Sequence, residues 1–279
     1  MAEIRIFDSA FLPGTKSASI GGDNLGVGPT HFTWKQEGPI TKPVFFTDSH
    51  IANAAQFGAM RHFIGWLLEP RSLRFDHYRE ARAYKDLFGT ILTYDAELLE
   101  EDGFEFYPYG GSWIAFDQWG MHKKTKNISI IASDKNTTEG HKLRHEIIKR
   151  FGDQIDVYGR GYNPIKSKFE ALAPYRYSVV VESGRFDYYF TEKLIDCLSV
   201  GTIPFYWGCP SIGNFFDMRG ILPYNYHPPG DYLFADHLNK EYYEYRLDAI
   251  KENIELAKHY RICEDWIWEN YPELFGRTQ

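Results

Sequence analysis

The sequence predicts an α/β protein with two mostly parallel sheets. Stretches typical of strands alternate with stretches typical of helices along the chain. Strand-like runs such as Val179-Val180-Val181 are continuously apolar, as expected for strands covered on both faces of a parallel sheet. The alternation starts a second time near residue 123. We therefore expect an N-terminal lobe over residues 1–122 and a C-terminal lobe over residues 123–279 that ends in a helix.

The N-terminal lobe begins with a strand in residues 3–11 and continues through a glycine-rich stretch, residues 12–32, that we interpret as an exposed loop. Further predicted elements are strands within 43–50, 62–72 and 89–95 and a helix over 76–88. Pro70 cannot donate to a strand ladder, so Glu69 is placed at the exit of the third strand.

The C-terminal lobe repeats the pattern. A strand and loop cover residues 123–136, a helix covers 138–152 with a glycine at its end, and a strand and turn cover 155–163. A β-loop-α-β unit follows over residues 175–208, and the tail over 241–275 is predicted to be helical.

Lys193 breaks a local rule within the β-loop-α-β unit. Thr191 is predicted to cap the helix, and Gly201 stands where the helix ends. A cation in the first helical turn opposes the helix dipole at a cost of about 0.3 to 1 kcal/mol. An anion bound at this helix N-terminus would make Lys193 favourable, although a lysine that extends into solvent would also explain it.

Composition excludes several classes of protein. The formal net charge is -7 and no Lys/Arg-rich run occurs, so a nucleic-acid backbone is not expected as a partner. The 3 cysteines are too scattered for a disulfide framework or a zinc cluster. No secretory leader pattern and no run of 18 apolar residues occurs, so we expect a cytoplasmic protein without an integral membrane segment.

Two distant groups of polar residues are predicted to meet at the carboxyl ends of the second sheet, where open α/β sheets bind ligands. One group contains Glu182, Ser183, Tyr189, Glu192 and Lys193, and the other offers His141 and Arg144. Cations that face one crevice suit a diphosphate, and an adjacent acid could accept hydrogen bonds from ribose hydroxyls. The pattern indicates a nucleotide site, although neither the P-loop pattern nor G-x-G-x-x-G is present.

The run E-S-x5-Y-F-T-E-K, followed by a strand that ends in Gly208-Cys209-Pro210, resembles the C-terminal signature of the α1,3/α1,4-fucosyltransferases, glycosyltransferase family 10. Glu182 and Lys193 keep the family's spacing of eleven positions. The stretches around 131–147 and 155–161 also resemble the family, so the resemblance covers roughly residues 125–220.

The resemblance implies a GT-B-like architecture, two Rossmann-like lobes with GDP-fucose held mainly by the second. It implies that an arginine and a lysine contact the diphosphate, here Lys193 with either Arg144 or His141. The implied donor site includes these further residues: Glu182, Ser183, Tyr189 and Glu192. Ser183 replaces the family's usual asparagine.

The family's general base is a glutamate in a strand-end loop of the first lobe, and Glu69 is the best-placed candidate, with an ion pair to Arg71 or Arg74 as the alternative explanation. The implied reaction is an inverting, metal-independent transfer from a GDP-sugar, without a cofactor, to a glycan or glycoconjugate acceptor. Trp66 and Trp113 are candidates for the lining of the acceptor cleft.

Two other functions remain open from the sequence. Asp95-Ala96-Glu97 follows a strand and approximates the Asp-x-Asp of a metal-dependent GT-A transferase, in which a divalent ion bridges the diphosphate. A non-catalytic sugar-nucleotide or glycan-binding protein could also retain the same fold.

Overall fold

Two parallel sheets organise the chain in the computed structural model, which describes residues 1–9, 11, 15–40, 42–224 and 238–277. Every strand pair in both sheets is parallel. The predicted α/β class with two lobes is therefore confirmed.

The first sheet has six strands in the order β2-β1-β3-β4-β5-β6. Their bounds are β1 Ala2–Phe7, β2 Phe32–Lys35, β3 Val44–Thr47, β4 Phe63–Trp66, β5 Thr90–Thr93 and β6 Phe104–Phe106. Helix α1, Phe75–Tyr84, packs against a 3-10 helix at Asp48–Gln56. β3, β4 and β5 have four residues each, all of them buried, as expected for strands covered on both faces of a parallel sheet.

The second sheet has five strands in the order β11-β10-β9-β7-β8. They are β7 Lys126–Ile131, β8 Asp156–Tyr158, β9 Tyr175–Val181, β10 Ile203–Trp207 and β11 Leu222–Pro223. The helices of this part are α2 Glu139–Phe151, α3 Lys168–Leu172, α4 Glu192–Ser199, α5 Lys240–Glu244, α6 Leu247–Lys258 and α7 Cys263–Asn270.

The tail, predicted as helical, forms α5, α6 and α7, which pack on different lobes. Ile250 and Ile254 of α6 join the core around β9 and β10. Cys263 and Ile267 of α7 join the core around β1 and β4 instead. The division of the chain at residues 122 and 123 stays a prediction. Helix α7 and the 3-10 helix that follows it, Pro272–Phe275, pack on the first sheet.

Two strands of the first sheet were not predicted. β2 follows directly from the glycine-rich stretch, and β6 has only three residues. The prediction of an exposed loop over 12–32 is wrong for part of that stretch, because Ser17 and Ser19 are buried and donate hydrogen bonds to the carboxylate of Glu264.

No helix in the described ranges is long and apolar enough to cross a membrane. The cytoplasmic location stays a prediction.

Candidate active site

A cavity of about 840 Å³ lies between the two lobes, at the carboxyl ends of strands from both sheets. Segments that follow β4 and β6 line it from the first lobe, and segments that follow β7, β8 and β9 line it from the second. Seven of the eight predicted site residues line this cavity: Glu69, His141, Arg144, Ser183, Tyr189, Glu192 and Lys193. This volume falls within the range of about 300 to 1,000 Å³ that small-molecule and cofactor pockets have.

Arg144 brings a buried positive charge into the cavity wall. The residue is 7% exposed, and its Nε donates a hydrogen bond of 3.3 Å to the backbone oxygen of Gly140. Its Nη2 is buried and has no hydrogen-bond partner among the described residues. Burial lowers the pKa of Arg144, although the Glu182 and Glu192 carboxylates oppose that shift. A buried guanidinium nitrogen without a partner is unusual, and an anionic ligand would satisfy it.

His141 has a local structural role in the same helix. Its Nδ1 lies 3.2 Å from the backbone nitrogen of Thr138, and its own backbone nitrogen donates to Thr138 Oγ1, which forms a capping box. Burial, followed by the nearby charges of Arg144, Lys135 and Lys193, lowers the pKa of His141 to about 4. The ring is therefore neutral at pH 7 and brings no positive charge to the cavity.

Glu182 is the predicted site residue that does not line the cavity. Its side chain is fully buried, where its carboxylate accepts hydrogen bonds from Thr191 N at 2.9 Å and Thr191 Oγ1 at 2.7 Å. Thr191 is the N-cap of α4, as predicted, and accepts from the backbone nitrogen of Lys193. Glu182 thus fixes the start of α4 from the end of β9.

Lys193 points back toward this buried carboxylate. Its Nζ lies 2.9 Å from Thr191 Oγ1, 3.4 Å from Glu182 Oε2 and 3.5 Å from Glu192 Oε1, and its side chain is 26% exposed. The unfavourable position in the first helical turn is therefore offset by two carboxylates. Lys193 also remains accessible to the cavity, so one ammonium group faces both the carboxylates and the ligand space.

Glu192 is held ionised at the same helix end. Its carboxylate pairs with Lys168 at 3.2 Å and with Lys193 at 3.5 Å. Burial alone would raise its pKa, but Lys193 and Lys168 outweigh burial and lower the pKa to about 2. The site thus keeps a permanent negative charge beside its cations.

Close backbone contact brings the two halves of the second-lobe site together. The backbone nitrogen of Gly140, in the first turn of α2, lies 3.4 Å from the carbonyl oxygen of Ser183. A Cβ on Gly140 would lie 1.7 Å from the carbonyl oxygen of Glu182, so no larger residue fits there. This contact explains how Arg144 comes to face Lys193 across the end of β9.

Lys168 was not predicted as a site residue, and its role depends on tertiary structure. Its Nζ pairs with Asp196 at 2.9 Å as well as with Glu192, and it lies 4.4 Å from the ring centroid of Trp113. Asp196 is fully buried and accepts from the backbone nitrogen of Trp113 at 2.8 Å. Helix α4 is therefore tied to the connection between the lobes.

The cavity is also lined by three further residues that the sequence did not predict: Tyr109, Lys135 and Arg160.

Glu69 faces the second-lobe cations from the first lobe. Burial, followed by the Asp48 charge, raises its pKa, and Lys193, His77 and Lys135 partly oppose that shift. The alternative of an ion pair with Arg71 or Arg74 is not observed, because Arg71 pairs with Asp95 and Glu97 and Arg74 pairs with Asp76. The Glu69 carboxylate forms no ion pair with the described residues, and a raised pKa suits a group that exchanges protons.

The pairing of Arg71 also bears on the GT-A alternative. Asp95 is nine-tenths buried at its side chain and pairs with Arg71 at 2.7 Å, and Glu97 pairs with Arg71 and Arg82. These carboxylates therefore form an ion-pair cluster within the first lobe.

Of the two tryptophans that the sequence suggested for the acceptor cleft, Trp113 lines the cavity. Trp66 is fully buried in the hydrophobic core around β1 and β4.

Residues 121–220 match the family model described as "Glycosyltransferase family 10 (fucosyltransferase) C-term". Over this stretch the chain is similar to glycosyltransferase family 10. A stretch of 97 residues is 35% identical to the alpha-(1,3)-fucosyltransferase FucT of Helicobacter pylori. That match covers 33% of this chain and 20% of the relative, so it spans about a fifth of the relative's length.

Solved structures extend the similarity of fold to almost the whole chain. A structure titled "Crystal Structure of alpha1,3-Fucosyltransferase with GDP" covers 99% of this chain with 89% of its own, at 16% identity and a TM-score of 0.50. A second, titled as the same enzyme with GDP-fucose, gives a TM-score of 0.51 at 15% identity. These matches support the GT-B-like arrangement of the two lobes.

The family match contains the second-lobe residues of the cavity, including Arg144, Lys168 and Lys193. Glu69 and Trp113 lie outside it. The sequence evidence for the second-lobe side of the cavity is therefore stronger than that for the first-lobe side, for which the argument comes from the structure.

Proposed function

We propose that this protein is an inverting, metal-independent glycosyltransferase that moves L-fucose from GDP-fucose to a hydroxyl of a glycan or glycoconjugate. The observation that carries the proposal is the buried Nη2 of Arg144, which has no partner among the described residues and shares a cavity with Lys193 and the N-terminus of α4. The matching of residues 121–220 to a fucosyltransferase family model supports fucose as the sugar. Similar folds solved with GDP and GDP-fucose support the donor.

The diphosphate binds between Arg144 and Lys193 in this proposal. Arg144 donates to phosphate oxygens through Nη2, while the Lys193 ammonium approaches from the N-terminus of α4. The sequence left open whether Arg144 or His141 contacts the diphosphate. We favour Arg144, because the lowered pKa of His141 leaves its ring neutral and its side chain is hydrogen-bonded in the capping box of α2. Tyr189, Ser183 and Glu192 line the remaining donor side.

Glu69 acts as the general base. Its carboxylate accepts the proton of the acceptor hydroxyl while that oxygen attacks the anomeric carbon from the face opposite the nucleotide. The bond from that carbon to the β-phosphate oxygen breaks, its electron pair leaves with GDP, and the configuration at the anomeric carbon inverts. Arg144 and Lys193 stabilise the charge that develops on the departing diphosphate, the task that a divalent ion performs in GT-A enzymes.

The test is transfer from GDP-fucose to a panel of neutral oligosaccharides in the presence of a chelator, with wild type compared with Glu69→Gln. Wild type is expected to transfer, and Glu69→Gln to bind GDP-fucose with unchanged affinity while losing transfer. Glu100→Gln is the matched control, because Glu100 is an exposed acid of the same lobe away from the cavity.

Three outcomes would contradict parts of the proposal. Full activity of Glu69→Gln would place the base elsewhere. Activity that disappears with chelator and returns with a divalent ion would favour the metal-dependent transferase. Donor binding by wild type without turnover on any acceptor would favour a sugar-nucleotide-binding protein.

A further inference from the structure

The segment that carries Glu69 is held mainly by side chains, with one backbone hydrogen bond from Leu67 to β5. β3 ends at Thr47, which is paired with Trp66 at the end of β4. Beyond that pair, residues 67–69 have no backbone neighbour from β3, because the chain turns into a 3-10 helix at Asp48. Asp48 itself has a left-handed backbone with φ of 41°, a strained conformation for a residue other than glycine.

The Asp48 carboxylate replaces the missing strand as an acceptor. It is 3% exposed and lies 2.8 Å from the backbone nitrogen of Leu68 and 3.3 Å from that of Glu69. One carboxylate thus accepts from two successive backbone nitrogens immediately before Pro70.

Three buried tyrosines satisfy the carbonyls of the same segment. Tyr107 Oη donates to Leu67, Tyr94 Oη donates to Leu68 at 2.8 Å and Tyr78 Oη donates to Glu69 at 2.9 Å. All three side chains are at most 2% exposed, and burial raises the pKa of each hydroxyl, so they remain protonated donors. With Leu67 N donating to Leu92 O, every backbone polar group of residues 67–69 is bonded.

We infer that Asp48 and the three tyrosines, Tyr78, Tyr94 and Tyr107, are positioning residues that fix the backbone at Glu69 and so aim its carboxylate into the cavity. This inference rests on the proposed role of Glu69 as the base. A side chain that must meet an acceptor hydroxyl at hydrogen-bond distance benefits from a rigid backbone, because a misplacement of about 1 Å can cost a factor of about 100 in rate.

Asp48 has a second, electrostatic effect that provides a separate readout. Its negative charge raises the pKa of Glu69, which is also faced by His77 of α1, Lys193 of α4 and Lys135 after β7. Removal of the Asp48 charge leaves Lys193 and Lys135 in place. The ionisation of Glu69 should then move to lower pH.

The first experiment compares Tyr78→Phe with Tyr243→Phe. Tyr243 is also buried, and its hydroxyl donates to the carbonyl of Gly201 at 2.7 Å, far along the chain from Glu69. Both variants lose one hydroxyl and should lower the melting temperature similarly. Only Tyr78→Phe should reduce kcat for transfer, by about 10- to 100-fold, with GDP-fucose affinity unchanged. Equal kcat values for the two variants would overturn the inference.

The second experiment does not need turnover. The Glu69 carboxyl carbon is followed by NMR through a pH titration in wild type and in Asp48→Asn, with Glu69→Gln used to assign the signal. The amide oxygen introduced by Asp48→Asn would still accept from the backbone nitrogen of Leu68, so the fold is expected to persist without the charge. A titration that moves to lower pH supports the inference, and an unchanged titration contradicts it even if wild type transfers no sugar.

Discussion

Replacement of Arg144 by methionine separates a role in donor binding from a role in folding. In the free protein, Arg144 is 7% exposed and its guanidinium Nη2 has no partner among the described residues, so the burial of its charge is only partly compensated. The substitution removes a poorly compensated buried charge and retains much of the apolar stem. We therefore expect the free energy of unfolding of Arg144→Met to be unchanged or higher, because apolar replacement of buried charges is often neutral or stabilising.

The same substitution should weaken the binding of GDP. A hydrogen bond to a charged group contributes about 1.5 to 3 kcal/mol, and tenfold in Kd corresponds to about 1.4 kcal/mol. Loss of the Arg144 contact should therefore raise the Kd for GDP by about 10- to 150-fold. Calorimetric titration with GDP and urea unfolding of the same preparations measure the two effects.

Arg176→Met is the matched control. Arg176 belongs to β9, but to its amino end, where its Nη1 donates to the carbonyl of Lys126. The substitution removes one positive charge from the same lobe at the opposite edge of the sheet, so the Kd for GDP should not change. Unchanged GDP affinity in Arg144→Met, or a loss of affinity equal to that of Arg176→Met, would refute a diphosphate contact.

The donor side gives three further predictions. Lys193→Ala should reduce the rate of transfer by about 100- to 1,000-fold. It should also lower the free energy of unfolding, because the buried Glu182 carboxylate loses its cation. Transfer rates and urea unfolding measure the two effects, and a normal rate would show that Lys193 does not act in the site. Because the pKa of Glu192 in the folded state is lowered to about 2, its contribution to stability is present above about pH 4.5 and is lost as the pH falls toward 2. Between these pH values the melting temperature should fall more steeply in wild type than in Glu192→Gln. Parallel curves for the two proteins would contradict the ion pairs of Glu192. Gly140→Ala should disrupt the contact between α2 and the end of β9 and abolish GDP binding. Gly213→Ala is the control and should bind GDP normally, because the added methyl group meets only the flexible Met218 side chain. Normal GDP binding by Gly140→Ala would refute the close approach.

The donor half of the site could be predicted because its signals are local. The apolar run before Glu182, the cap at Thr191 and the glycine after the helix fix a strand, a helix start and a helix end within about 25 residues. Parallel strands place such turns at one sheet edge, so the meeting of Arg144 and Lys193 follows from topology.

The remaining features depend on contacts between distant parts of the chain. The link from Asp48 to Glu69 joins residues 21 positions apart and requires a left-handed backbone at an aspartate. The part that His141 plays in the capping box of α2 could not be predicted from the sequence, and the proposed preference for Arg144 depends on it. The fully buried Trp66 and the pairing of Lys168 with Asp196 are likewise consequences of tertiary packing.

The most direct test of the central claim is a calorimetric titration of the wild-type protein with GDP, GDP-fucose, GDP-mannose, UDP-glucose and UDP, with chelator present throughout. The account predicts binding by the GDP compounds alone, at the cavity that contains Arg144 and Lys193. Preference for UDP, or binding that appears only after a divalent ion is added, would contradict the proposed donor site.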